Sequence, residues 1–150
     1  MLQVSASLFS IVLSLVSIPA QNIEKSFLLN DVRQLHSQLS HETRLSIYLP
    51  EPLSFSDQVS DEQAFFLFQR IFRRYVTLEF IPEQRIFQAQ PQGPIIIKAR
   101  WFFTDAVNNN RYALRIYFLL QPETAAAVTR PDLRRTPSPW RIIEIKAEKI

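Results

Sequence analysis

Few residues of this chain have side chains that could carry acid–base, nucleophilic or metal chemistry. Its 150 residues include two histidines, His36 and His41, and no cysteine. The lack of cysteine excludes disulfides, thiolate catalysis and cysteine zinc sites. A single glycine excludes a glycine-rich phosphate loop, and no Gly-x-Ser-x-Gly nucleophile pattern occurs. The sequence therefore points away from the common nucleophilic and phosphate-handling enzymes.

The two histidines are the natural candidates for a general base or a metal ligand. His36 falls at the edge of an apolar helical stripe, where its imidazole either points into a cavity or hydrogen-bonds to backbone. Asp31 is off-face, so no carboxylate at helical spacing orients this imidazole, and we predict that His36 is not catalytic. His41 follows in a polar turn and is expected to be exposed. Because their spacing does not place both imidazoles on one helix face, we expect no metal and no other cofactor.

A long hairpin over residues 94–120 organises the rest of the chain. Two runs rich in β-branched and aromatic residues flank a DAVNNN turn, which is typical of two antiparallel strands. With one glycine in the chain, Asn108, Asn109 and Asn110 are expected to supply the positive φ of the turn. Alternation along each strand defines an apolar inner face, which includes Trp101 and Leu114.

The opposite, outer face of this sheet is predicted to be basic with scattered apolar residues. A closing strand over residues 140–149 contributes to it, with Ile143, Ile145 and Ala147 assigned to the other side. The basic residues of the outer face are Lys98, Arg100, Arg111 and Arg115, and its apolar residues are Phe102, Tyr117, Leu119, Trp140 and Ile142. Such a face is a candidate interface. The alternative is that cross-strand pairs with Glu144 and Glu148, together with the loop 121–139, cover it.

Helices are predicted on both sides of the first strand. A helical stripe through Leu28 and Leu29 is interrupted at Asn30-Asp31, which predicts a short second helix over residues 32–39. A capping box of Ser60 and Gln63 opens a long amphipathic helix over residues 60–75. Strands are predicted over residues 43–49, 76–81 with Leu78 and Phe80 inward, and 85–90. Residues 52–58 are expected to form a loop.

The first twenty residues read as an export signal. An apolar run over residues 8–18 ends at Pro19-Ala20, so we predict cleavage after Ala20 and no stable membrane span afterwards. An uncleaved anchor and a buried helix are the alternatives. Export without cysteine favours a bacterial periplasm or cell surface. The net charge of +3 is a mild basic bias, and export argues against nucleic acid as a partner.

The order of these elements resembles the nuclear transport factor 2-like superfamily, a cone-shaped α+β fold. LLNDVRQLHSQLS at residues 28–40 looks like its entry helices, and SDEQAFFLFQRIFRRY at 60–75 like its third helix. RYALRIYFLL at 111–120 and WRIIEIKAEKI at 140–150 are similar to the last strands of small exported members of unknown function. The resemblance implies N-terminal helices and one long helix packed on a curved antiparallel sheet, in one domain over residues 21–150. The loop 121–139 departs from those members, whose turn is short.

The resemblance leaves two classes of function open, because some members are isomerases or dehydratases and many are binding or dimerisation modules. An enzyme would need a general base inside the cone. Glu79, Glu144 and Glu148 fall on outward positions and Asp105 in a turn, so the predicted inner face lacks a carboxylate.

The sequence therefore predicts a non-catalytic binding or interaction module. For a small apolar ligand, the pocket candidates are His36, Tyr75, Trp101, Tyr112 and Leu114, with a solid core as the alternative. For a homodimer, the interface candidates are Arg100, Phe102, Arg115, Tyr117, Leu119, Trp140 and Ile142. An isomerase- or dehydratase-like enzyme acting on a small apolar substrate is the alternative function.

Overall fold

A computed structural model describes residues 18–83, 87–88, 93–123 and 140–150 of the chain. Helix α1 is described over residues 18–28, and helix α2 spans Val32–His36. Asn30 adopts a φ of 48° between them, and the Asp31 side chain caps α2 by accepting a hydrogen bond from Gln34 N. The predicted break at Asn30-Asp31 is thus confirmed. Most of the predicted signal peptide lies outside the described residues, and its cleavage stays a prediction.

The apolar stripe of α1 differs from the predicted one. Leu28 and Leu29 are exposed, whereas Ile23 and Phe27, which are one helical turn apart, are fully buried. A four-residue spacing keeps these two side chains on one face of the helix, and Leu28, one position after Phe27, is turned about 100° away from that face. Ile23 and Phe27 are therefore residues through which α1 enters the core.

Helix α3 spans Asp61–Arg74 and begins at the predicted capping box, in which Ser60 accepts from Gln63 N and the Gln63 side chain accepts from Ser60 N. Its buried residues recur at helical spacing and are Ala64, Leu67, Phe68, Ile71 and Phe72. Phe66 is 53% exposed on the opposite side, with its ring against Phe65. The predicted long helix and its capping box are thus confirmed.

The strands of the described residues form one open, curved mixed sheet in the order β2-β1-β7-β6-β5-β3, with β4 pairing on β5. Their bounds are Leu45–Leu49 for β1, Phe55–Val59 for β2, Tyr75–Pro82 for β3, Phe87–Gln88 for β4, Ile95–Asp105 for β5, Arg111–Pro122 for β6 and Trp140–Lys149 for β7. The β5–β6 pair confirms the predicted hairpin, and Asn109 supplies the positive φ of its turn. Strand β1 runs parallel to β7, while the other pairs are antiparallel.

Strand β2 was expected to be a loop, and that expectation is wrong. Its middle residues are polar and exposed, because β2 is an edge strand that buries Val59 and leaves Ser56, Asp57 and Gln58 in solvent. A polar edge strand lacks the alternation from which strands are recognised. The predicted loop 121–139 lies outside the described residues from residue 124 on.

Two bulges reverse the predicted facing of residues in β3 and β7. In β3, Thr77 pairs with Phe103 but Glu79 pairs with Phe102, so Leu78 is the extra residue and is exposed rather than inward. In β7, the partner of Leu119 is Glu144 and that of Leu120 is Ile142, which makes Ile143 the extra residue. A single inserted residue shifts every side chain on one side of it to the other face of the sheet.

The bulge at Ile143 moves two interface candidates to the inner face. Ile142 is fully buried in the core, and Trp140, two residues earlier, is half-buried against that core. The prediction that Ile142 and Trp140 belong to the outer face is therefore wrong. The regular β5–β6 pairing leaves the other interface candidates on the outer face as expected.

Candidate functional site

The inner face of the sheet is filled with aromatic side chains. Phe27 lies at its centre, with ring centroids 4.8 Å from Phe80, 5.0 Å from Trp101 and 5.6 Å from Phe118. Trp101 is fully buried, and its Nε1 donates a hydrogen bond to Thr77 Oγ1 at 3.0 Å. The bulge at Leu78 turns Thr77 inward and so provides this acceptor. At this level of the cone the described residues form a packed core.

The pocket candidates predicted from sequence fall into three different surroundings, which are the buried core, a surface cleft and, for His36, a contact with Phe65 of α3. Trp101 and Tyr75 are core residues, and the Tyr75 ring lies 5.4 Å from that of Phe103. Burial raises the pKa of the Tyr75 hydroxyl, and the neighbouring Arg74 opposes that rise. Tyr112 and Leu114 line a cleft of about 630 Å³ at the start of β6 and the end of β7. This cleft has both polar and apolar walls, which include Glu51 and Lys149, and it does not contain Trp101 or Tyr75.

Asp105 is the inward carboxylate that the sequence prediction placed in a turn. It is the last residue of β5 and is 1% exposed. Arg74 donates to its Oδ2 from Nη2 at 3.0 Å and from Nε at 3.2 Å, and Val107 N donates to its Oδ1 at 2.9 Å. The hydrogen bonds from Arg74 and then from Val107 hold the pKa of Asp105 below its ordinary value. This carboxylate therefore joins α3 to the hairpin turn, and its lowered pKa is the reverse of what a general base needs.

The outer face carries a row of alternating lysine and tyrosine side chains across four strands. Register pairs Lys98 of β5 with Tyr117 of β6, Tyr117 with Lys146 of β7, and Lys146 with Tyr48 of β1. The Lys98 Nζ lies 5.4 Å from the centre of the Tyr117 ring, within reach of a cation–π interaction. Tyr48 is 39% exposed at the far end of the row.

Next to this row, a charged network ties Arg115 to its neighbours. Its Nε lies 3.5 Å from Glu83 Oε1, and its Nη1 lies 3.5 Å from Glu148 Oε1. Tyr117 Oη also donates to Glu148 Oε1 at 2.7 Å. That hydrogen bond is the main cause of a raised pKa of Tyr117 and a lowered pKa of Glu148. Cross-strand pairing therefore covers part of the outer face, as the sequence analysis allowed.

A concavity of mixed apolar and charged character lies on the outer face beside this network. It measures about 330 Å³ and is lined by Ile96, Tyr117, Leu119, Glu144, Lys146 and Glu148. Phe102 lies on the same face opposite Ala113, and Arg100 lies opposite Arg115. The interface candidates Arg100, Phe102, Arg115, Tyr117 and Leu119 thus share one surface of the described structure.

A second cluster joins both histidines to a carboxylate that the sequence analysis did not consider. The Asp61 Oδ2 atom, at the first residue of α3, accepts a hydrogen bond from His41 Nδ1 at 2.6 Å and lies 3.3 Å from His36 Nε2. Burial raises the pKa of Asp61, but the hydrogen bond and charge of His41, with the charge of His36, outweigh it, so the pKa is lowered.

The sequence argues from helical spacing that no carboxylate orients His36 and that the two histidines cannot share a metal. This cluster contradicts both arguments. His36 ends α2, and the turn after Leu39 brings His41 back, so the two ring centroids lie 5.5 Å apart without sharing a helix face. The orienting carboxylate comes from another helix. His36 lies against Phe65 of α3 rather than in the cone. The histidines and Asp61 are close enough for shared ligation, with their ligand atoms within 4.8 Å of one another.

Solved structures of nuclear transport factor 2-like proteins resemble this chain over most of its length. One of unknown function in nutrient uptake from Rhodospirillum rubrum has a TM-score of 0.60 at 8% identity, covering 90% of this chain and 98% of that one. Another from Cytophaga hutchinsonii has a TM-score of 0.58 at 10% identity, covering 91% and 97%. A ketosteroid isomerase-like protein from Erwinia carotovora atroseptica has a TM-score of 0.65 at 13% identity, covering 92% and 95%.

No protein-family model matches the sequence, and no curated protein matches it. The structural similarity shows that the chain has the nuclear transport factor 2-like fold, which confirms the predicted fold class. Identities this low show the fold alone. Among the described residues, no helix is both long enough and apolar enough to cross a membrane.

Proposed function

We propose that this chain, with its nuclear transport factor 2-like fold, is an exported, non-catalytic interaction module that binds a partner through its outer sheet face. One observation carries the proposal: the outer face holds a concavity of about 330 Å³ in which Ile96, Tyr117 and Leu119 lie beside charged residues, whereas the inner face around Trp101 is filled by Phe27 and its neighbours. A partly apolar surface with polar edges is the usual composition of a transient interface. In the described part of the chain, aromatic rings packed around Trp101 occupy the space that the small apolar ligand predicted from sequence would need.

The partner we propose is a second copy of the chain. Four apolar side chains of the outer face are half-buried, namely Ile96, Phe102, Tyr117 and Leu119. Each has at most about a third of its surface left to bury, which is worth about 0.7 kcal/mol, a third of the value for a fully exposed side chain. Two subunits would thus gain about 5 kcal/mol, against an association cost of about 4–15 kcal/mol.

This balance supports a weak homodimer and not an obligate one. Loss of Trp140 and Ile142 to the inner face removes two of the largest contributions that the sequence prediction assumed. The facing arginines Arg100 and Arg115 add repulsion if a twofold axis passes near them. The pairing of Arg115 with Glu83 and Glu148 within one chain reduces that repulsion.

Sedimentation velocity of residues 21–150 tests the proposal. We expect a concentration-dependent monomer–dimer equilibrium between tens and hundreds of micromolar, and a monomer for Tyr117→Glu, which sets a new charge beside Glu148. Phe66→Glu is the matched control, because Phe66 is an exposed aromatic residue on α3 and should leave the equilibrium unchanged. A wild type that stays monomeric throughout would refute the homodimer. A dimer that persists in Tyr117→Glu would place the interface elsewhere.

The alternative function is an isomerase- or dehydratase-like enzyme. It is considered because one protein of similar structure is ketosteroid isomerase-like. It would need a base that faces an open cone. The inward carboxylate of the described residues that comes closest to this role is Asp105, and Arg74 and Val107 already occupy its oxygens. The interaction module is therefore the better supported of the two.

A further inference from the structure

We propose that His36, His41 and Asp61 form a binding site for a divalent transition-metal ion, with Zn²⁺ as the expected occupant. The proposal is independent of the outer sheet face, because the cluster lies where α2 and the turn after it meet the N-terminus of α3. Two imidazole nitrogens and one carboxylate oxygen are the donors that zinc commonly takes in sites that keep a fourth position for water.

One of the three ligand-pair distances already matches the spacing that tetrahedral zinc requires. Zinc bonds of 2.0–2.2 Å to nitrogen and oxygen place neighbouring ligand atoms about 3.3 Å apart. His36 Nε2 and Asp61 Oδ2 already lie 3.3 Å apart. The ligand atoms of the cluster all lie within 4.8 Å of one another. His41 Nδ1, now 2.6 Å from Asp61 Oδ2, would exchange its hydrogen bond for a metal bond by a small side-chain movement.

The backbone of the cluster is fixed in place by contacts outside it. Ser40 is buried, its backbone N donates to Ile142 O at 2.9 Å, and its Oγ accepts from Glu42 N and Thr43 N. His41 therefore starts a turn that is anchored to the central sheet. His36 is held from the other side by the ring of Phe65, 5.3 Å away. A site with its donors already positioned loses little entropy when the ion binds.

The helix dipole and the acidic side chains at this site act on a cation in opposite directions. The N-terminus of α3 carries a partial positive charge from the helix dipole, which repels a metal ion. Asp61 and Glu62, both in the first turn, add two carboxylates that offset it. The side chains of His36, His41 and Asp61 are 34%, 50% and 28% exposed, so an ion can enter from solvent and retain a bound water. The bound ion would cross-link the α2 segment to α3.

The decisive experiment is calorimetric titration of tag-free, chelator-treated protein with ZnSO₄. Because the chain has two histidines and both belong to the cluster, imidazole ligation can arise nowhere else. We expect one Zn²⁺ per chain with a micromolar or lower Kd. His41→Ala and Asp61→Asn should each weaken binding at least tenfold. Glu62→Gln, which removes a charge from the same turn but no ligand, should change Kd less than twofold.

The imidazole NMR signals of the wild type give a second readout that does not depend on a variant folding well. Both histidines should shift together and saturate at one equivalent of Zn²⁺. Absence of saturable binding up to millimolar Zn²⁺ would overturn the proposal. So would binding that Glu62→Gln weakens as much as Asp61→Asn does, because that result would indicate attraction by charge alone.

Discussion

Replacing Phe27 by alanine tests whether the interior of the cone is a packed core or a ligand pocket. The Phe27 side chain is fully buried and contacts the rings of Phe68, Phe72, Phe80, Trp101 and Phe118. Truncation of a buried phenylalanine in a packed core costs about 3–5 kcal/mol, from lost transfer free energy and from the cavity left behind. The several edge and stacked ring contacts place Phe27→Ala toward the upper part of that range.

A loss of this size is readily measured by urea unfolding. With a slope of about 2 kcal/mol per molar urea, a loss of about 4 kcal/mol lowers the unfolding midpoint by about 2 M. This loss is a large fraction of the unfolding free energy of a typical domain, which is about 5–15 kcal/mol. Residues 21–150 of the variant should therefore be examined at low temperature. Phe66→Ala is the control, since the exposed Phe66 ring should change the unfolding free energy by no more than about 0.5 kcal/mol.

Two results would refute the packed-core reasoning. The first is a Phe27→Ala loss below about 1 kcal/mol, which would mean that the ring borders an existing space. The second comes from adding benzene, which binds apolar cavities of about 150 Å³ created by truncation. Benzene should stabilise Phe27→Ala and leave the wild type unchanged. A wild type stabilised by benzene would restore the apolar pocket predicted from the sequence.

Two further predictions concern Asp105 and the N-terminus. Hydrogen bonds from Arg74 and Val107 lower the pKa of Asp105 in the folded state, so its contribution to stability is present above the unfolded pKa of about 3.9 and is lost as pH falls through the folded value. The wild type should therefore lose unfolding free energy more steeply than Asp105→Asn between pH 5 and pH 2, and equal slopes in urea unfolding would contradict this. Residues 1–20 should be missing from the exported protein, and an intact Met1 in its mass spectrum would show that the signal is not cleaved.

The parts of the fold that could be predicted depend on signals within a few residues of one another. The capping box at Ser60 and Gln63, the helix break at Asn30-Asp31 and the asparagine-rich hairpin turn each need just their immediate neighbours. The β5–β6 hairpin is also local, because its strands are joined by a short turn and pair in regular register. Local chemistry is therefore sufficient to specify these elements.

The strand residues assigned to the wrong face of the sheet lie where one extra residue interrupts the alternation of inward and outward side chains. Nothing in the local pattern of β3 distinguishes Leu78 from an inward residue, yet the bulge exposes Leu78. The same bulge turns Thr77 inward, where its hydroxyl accepts a hydrogen bond from Trp101. In β7, the two consecutive isoleucines Ile142 and Ile143 could each face the core, and the sheet partner decides which does. Pairing with Leu120 selects Ile142. The choice depends on residues of other strands, so sequence alternation alone could not make it.

The histidine cluster shows the same limit for a candidate site. Helical spacing within one segment separates His36 from His41, whereas their contact runs through Asp61 on another helix, twenty residues beyond His41 in the chain. One signal was present: two histidines close in sequence precede a helix whose first turn holds acidic residues. A short connection returns that turn to the end of α2, because β1 and β2 form a hairpin whose ends lie side by side. With that topology, Asp61 is the expected neighbour of both imidazoles.

The bulge at Ile143 also changes what kind of partner the outer face suits. It removes Trp140 and Ile142 from that face and leaves Tyr117 between Lys98 and Lys146, with Glu148 bonded to its hydroxyl. Hydrophobic burial on such a face is small, so charge complementarity has the larger part in deciding which surface docks there. Two copies related by a twofold axis can meet this condition only if the carboxylates of one copy face the lysines of the other. Exposed pairs of this kind weaken with added salt. A homodimer here should therefore dissociate as ionic strength rises, whereas one held by Trp140 and Ile142 would not.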